Sequence, residues 1–109
     1  MKNFTKIILL ILTCCSLHAY SLPKLNSLPS ATATVYLDFD GQTVTSSVWN
    51  GGNPIFCASP GLTYDQITEI FNRVSEDYRP FNINITTDST KFLAAPLTQR
   101  VRVIITPTS

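Results

Sequence analysis

A helix start is written into Thr63-Tyr64-Asp65-Gln66. The Thr63 hydroxyl is placed to accept from the Gln66 amide, and the Gln66 side chain can reach back to the Thr63 N–H, which makes a capping box. Leu62 before the cap and Ile67 after it supply a hydrophobic staple. Ile67, Ile70, Phe71, Val74 and Tyr78 recur at helical spacing, so one face is apolar. Asp65 favours the positive end of the helix dipole. Pro80 pushes Arg79 out of helical geometry and stops the element. The pattern predicts a helix over 64–78. Glu69, Arg73, Glu76 and Asp77 lie off the apolar stripe and read as a solvated face.

Alternation on either side of this helix predicts strands. Val35, Leu37 and Phe39 point one way over 33–39, and Thr34, Tyr36 and Asp38 the other. Phe81, Ile83 and Ile85 alternate with Asn82, Asn84 and Thr86 over 81–87. Val101, Val103 and Ile105 share a face over 100–106. Between the last two strands, 88–97 reads as a short crossover with a turn or two of helix around Lys91, stopped before Pro96. Residues 41–61, with Trp49, Cys57 and the Asn50-Gly51-Gly52-Asn53-Pro54 cluster, read as a long irregular loop. Trp49 and Phe56 are expected to anchor that loop on the sheet.

Strand, helix, strand, crossover, strand predicts an α/β fold with a mostly parallel sheet. One good helix covers one face, whereas parallel sheets are normally covered on both. The expectation is therefore an incomplete three-layer domain with apolar strands and an edge left open, the N-terminal part of something larger.

The N-terminus reads differently. Lys2 and Lys6 precede an apolar run over 7–12, then small residues. The run is short of the about 20 residues a membrane span needs. Residues 1–19 read as a secretory signal peptide, with cleavage after Ala19 or Ser21, and the product as secreted, periplasmic or held at the cell surface. A lipoprotein cut before Cys14 or Cys15 is the variant reading. Residues 20–32, with Pro23 and Pro29, read as an extended, mobile linker to a domain over 33–109.

Cleavage changes the chemical inventory. The whole chain carries eight bases, seven acids and one histidine. Loss of Lys2 and Lys6 brings the net charge from +1 to about −1. Such a balance gives no footprint for nucleic acid. Loss of Cys14, Cys15 and His18 leaves Cys57 as the lone cysteine and no imidazole. That excludes Ser-His-Asp and Cys-His catalysis and histidine-based zinc sites within the mature chain. Cys57 is either a buried thiol or paired outside the chain.

Asp38 and Asp40 in "VYLDFDGQ" invite three readings. An apolar strand ending in Asp-x-Asp-Gly resembles the first motif of haloacid dehalogenase-like phosphatases. By that resemblance Asp38 would be the nucleophile and Asp40 the general acid/base, with magnesium. Gln42 departs from the motif, and the later acidic pair and lysine are not recognisable. The same residues look like part of a calcium loop, but 42–50 carry no acid to complete it. The third reading is structural: both acids end the strand and hydrogen-bond the turn, while Gly41 takes a positive φ. Asn84-Ile85-Thr86 also matches the N-glycosylation acceptor pattern.

A wider resemblance spans about 33–106. The segments "ATVYLDFDGQTV", "WNGG" and "GLTYDQITEIFNRVSEDYRPFNINITTD" resemble the N-terminal half of the catalytic domain in secreted bacterial zinc metalloproteases of the metzincin, reprolysin-like kind. "VSEDYRPFNINITTD", where the helix breaks at Pro80 into the second strand, carries most of the likeness. The resemblance implies peptide-bond hydrolysis by a zinc-bound water, with a protein or peptide substrate. The family signature, His-Glu-x-x-His on a helix, comes after further strands. No position in this chain matches it. The expectation is a truncated, by itself inactive portion of such a peptidase. It has no catalytic, metal or cofactor-binding residue of its own, and zinc is expected only in the full-length family. A stand-alone secreted binding module, using the 41–61 loop and an open strand edge, is the alternative.

Overall fold

A computed structural model describes residues 22–108. The expected signal peptide, with Cys14, Cys15 and His18, lies outside the described residues. The elements in chain order are β1 (Ala33–Asp38), β2 (Gln42–Val44), β3 (Ile55–Cys57), α1 (Tyr64–Asp77), β4 (Ile83–Thr86), α2 (Ser89–Ala94) and β5 (Arg100–Ile104). The main sheet has the order β4-β1-β5 with every pairing parallel. The expected α/β fold and mostly parallel sheet are observed.

α1 begins as its sequence dictates. Thr63 Oγ1 accepts from the Gln66 N–H at 3.2 Å, and Gln66 Oε1 accepts from the Thr63 N–H at 2.9 Å. Ile67 and Phe71 are buried against Leu37, Phe39 and Ile85, with Leu62, Ile70 and Val74 packed around them. This is the core, and it occupies one face of the sheet. α2 lies on the opposite face, where the Phe92 ring meets Tyr36 at 5.4 Å between centroids. Asp88 caps α2, its carboxylate accepting from the Thr90 amide at 3.0 Å. The β1 alternation therefore serves two layers: Leu37 faces α1 and Tyr36 faces α2. Tyr78 departs from its expected place on the apolar stripe. It is the C-cap of α1 and half-exposed, its ring 6.3 Å from that of Phe81.

The described part of the expected linker is not free of the domain. Residues 22–28 run along the outer edge of β4, with an antiparallel bridge between Asn26 and Thr86. Ser27 N–H donates to the Ile85 carbonyl at 2.9 Å, and Thr87 N–H donates to the Leu25 carbonyl at 3.0 Å. Pro23 is buried, and Leu22 and Leu25 pack on the core. An unpaired strand edge exposes a row of polar backbone groups, and this segment satisfies them.

The expected irregular loop contains a small antiparallel hairpin, β2–β3, with Gln42 opposite Cys57 and Val44 opposite Ile55. Trp49 and Phe56 do not anchor it. They are 60% and 71% exposed, so the expectation that they pack on the sheet is corrected. Ladder hydrogen bonds and the ties at its base hold the hairpin instead. At the other side of the sheet, β5 is an open edge among the described residues. Val101 and Val103, in register with Val35 and Leu37, are 57% and 42% exposed.

Candidate functional site

The carboxyl end of a parallel sheet is where α/β folds usually place ligands. Here β1 ends in Asp38, followed by Phe39, Asp40 and Gly41. Asp38 is 1% exposed, while Asp40 is exposed. Asp38 Oδ1 accepts from the Asp40 N–H at 3.2 Å, and Gly41 has φ +87°. A Cβ at Gly41 would lie 3.1 Å from both the Cys57 carbonyl oxygen and the Ser59 nitrogen. So the glycine serves both the turn and the close approach of the hairpin base. Ser59 Oγ donates to the Phe39 carbonyl at 3.0 Å and fastens that base to the strand end. The strand-end reading of Asp38, Asp40 and Gly41 matches this geometry.

The second carboxylate oxygen of Asp38 faces β5. Arg102 Nε lies 3.5 Å from Asp38 Oδ2, an ion pair without a hydrogen bond, since the buried Nε–H makes no aligned contact. The Arg102 guanidinium rests over the rings of Tyr36 and Phe92, at 5.5 and 5.0 Å. Arg100 lies over the Phe92 ring at 4.7 Å, and its Nη1 donates to the carbonyls of Phe92, Leu93 and Ala95. Both arginines of β5 are thereby spent on closing α2 against the sheet. Cation–π contacts of this kind are worth about 0.5–2 kcal/mol each, more when desolvated.

The Asp38 carboxyl is raised from 3.8 to about 6, first by burial. The Asp40 carboxyl contributes to that rise, while the Asp40 amide and Arg102 oppose it. Burial, then the charges of Asp38 and Asp40, pushes the Tyr36 phenol up to about 12, so it stays protonated. Asp88 is held below its ordinary value, chiefly by its hydrogen bond with Thr90.

These shifts fix a pH dependence. A carboxyl with a raised folded-state pKa binds its proton more tightly in the folded chain. Its contribution is full below 3.8 and is lost as pH rises through about 6. Asp88 acts in the opposite sense only at lower pH. We therefore expect the urea midpoint to fall between pH 4 and pH 6 through Asp38, and Asp38→Asn to flatten that slope. Urea melts at four pH values check it; an unchanged slope in the variant contradicts the assignment.

Near Arg102 a cleft of about 310 Å³ opens between the hairpin and β5, lined by Gln42, Thr43, Val44, Thr45, Trp49, Arg102 and Ile104. A larger groove of about 520 Å³ lies beside the C-terminal half of α1, with Phe71, Ser75, Tyr78 and Phe81 along it. Among the described residues no three His, Cys, Asp or Glu side chains gather in a way that could hold a metal ion. Among the described residues Cys57 has no disulfide partner, and it lies partly exposed on β3. Among the described residues no helix is long and apolar enough to cross a membrane.

Asn84, the acceptor of the glycosylation pattern, is 2% exposed. Its Nδ2 donates to Asn26 Oδ1 at 3.0 Å, and its Oδ1 accepts from the Leu28 N–H at 3.1 Å. The folded chain therefore offers no glycan acceptor there. Sequence reasoning missed this role of Asn84, together with the roles of Thr86 and Thr87. The available signal was the density of side-chain hydrogen-bonding groups in Asn84-Ile85-Thr86-Thr87. Compared with known proteins, the chain matches no family model, no curated protein and no solved structure.

Proposed function

We propose that this chain is the N-terminal layer of the catalytic domain of a secreted, metzincin-like zinc peptidase, without hydrolytic activity of its own. The observation that carries the reading is the asymmetry of the sheet. The β4 edge is covered by residues 22–28, whereas β5 is open among the described residues and presents Val101 and Val103 on the face that α1 only partly covers. Further strands of a larger domain have one edge to join, and a further helix has one apolar face to cover. In the segment over 74–88, which carries most of the resemblance, α1 ends before Pro80 and the chain leads into β4. Zinc supplies a polarised carbonyl and an acidified water in that family. The described residues do not fit the metal, so no step of hydrolysis is assigned to them.

Asp38 gives little support to phosphoryl transfer, because a nucleophilic carboxylate needs open access and this one is 1% exposed. A secreted binding module is the second reading, supported by Val48, Trp49 and Phe56, all more than half exposed on or beside the hairpin.

The two readings differ in solution. As one layer of a larger domain, the isolated chain is expected to self-associate through β5. Val101→Lys together with Val103→Lys should weaken that association by about tenfold or more, since two valines leave the contact. Sedimentation velocity over a concentration series reads it. A monodisperse chain that melts cooperatively, indifferent to both lysines, would favour the binding module.

A further inference from the structure

The covered edge of β4 is more than a packed surface. Residues 22–28 are held there mainly by side-chain groups of β4 and its extension. Thr87 Oγ1 accepts from the Leu25 N–H at 2.8 Å and donates to the Pro23 carbonyl at 2.6 Å. Thr86 Oγ1 donates to the Leu25 carbonyl at 3.0 Å. Ser27 Oγ accepts from the Ile85 N–H at 2.8 Å, and its own N–H donates to the Ile85 carbonyl. Asn84 closes the far end with Asn26 and the Leu28 N–H. Leu22 and Leu25 add apolar anchors on the core, and Lys24 is exposed. The segment thus meets β4 as an extended ligand meets a sheet edge. The segment's main-chain groups, met by β4 backbone and by the Thr86, Thr87 and Asn84 side chains, supply affinity, and Asn26 and Ser27 supply selectivity. Only 29–32 join it to β1, through a turn in which the Ala31 N–H donates to the Leu28 carbonyl at 3.0 Å.

We infer that the outer edge of β4 is a strand-acceptor site, filled in cis by residues 22–28 and able to take the same segment from a second copy of the chain. The partner follows from identity of contacts. A second copy carries the same Leu, Asn and Ser groups, so exchange replaces each bond with its equal and leaves only the 29–32 hinge to rearrange. Dimers formed this way use β4 and not the open β5 edge, so the proposal stands apart from the peptidase reading.

The test uses the full chain and a synthetic peptide of residues 22–28, labelled at the exposed Lys24. Asn26→Ala with Ser27→Ala in the chain weakens the cis segment and leaves the acceptor intact. This variant should bind the peptide about tenfold more tightly than the unaltered chain, the effect of two lost competing hydrogen bonds. A peptide carrying the same two alanines should bind correspondingly less. If the variant does not fold alone, the unaltered peptide should restore its cooperative melt. A folded variant with no saturable binding, binding indifferent to the peptide's Asn and Ser, or an unfolded variant that the peptide fails to rescue would each overturn the site. For the exchange itself, removing Ser30 and Ala31 makes the hinge too short to turn back. That chain should sediment as a dimer, with or without Val101→Lys and Val103→Lys; a monomer would overturn the exchange.

Discussion

Ile85→Ala is expected to lower the unfolding free energy by about 2–5 kcal/mol, the range for truncating a buried Ile in a packed core. Ile85 has 0% exposure and sits among Leu37, Phe39, Ile67 and Phe71, where strand and helix layers meet. Its main chain is also gripped by Ser27 on both sides. The neighbours are held by separate elements, so they cannot close on the void. Small domains have a total stability of about 5–15 kcal/mol, so the loss is a large fraction. Urea melts read it as a lower midpoint at an unchanged slope. Ile85→Val should cost only about 0.5–1.5 kcal/mol. A drop under about 1 kcal/mol for alanine would mean that the core is looser than its burial indicates.

Asn84→Ala is the second large effect, and it works through polarity rather than volume. The change removes two hydrogen bonds and strands Asn26 Oδ1 and the Leu28 N–H in the strap formed by residues 22–28. Each stranded group costs about 1–3 kcal/mol when water cannot reach it. The expected loss is about 2–4 kcal/mol, reduced where the strap end opens to solvent. Thermal melts give the total, and amide exchange gives the location. Leu28 and Ser27 should lose protection while Ile67 keeps most of its own. Uniform loss of protection would show that strap and core unfold as one unit.

These two residues also show what was legible in the sequence. Ile85 was marked by alternation, as were Leu37 and Phe39, because a period of two is a direct record of a half-buried strand. α1 was legible for a parallel reason: its cap, staple and stripe all agreed. The strap was not legible, since Pro23, Pro29 and scattered serines erase any period. Its pairing with β4 depends on hydroxyls and an amide that meet only when the chain folds. The β2–β3 hairpin escaped because each strand has three residues, too few to display alternation. Trp49 and Phe56 were expected to pack because large aromatics usually do, and the geometry leaves them outside. At the strand end, the Asp38-to-turn bond and the positive φ of Gly41 were readable from residue type. The Arg102 partner, sixty-four positions away, required the parallel register that sets Tyr36 opposite Arg102.

The central claim is that β5 is an interior strand of a zinc peptidase domain. Reading the coding DNA through and beyond the Ser109 codon tests it most directly. The account predicts a frame that continues, in phase or after a single-base shift, with strand-like segments followed by His-Glu-x-x-His. A confirmed stop with no such motif nearby would contradict it and move the binding module to first place.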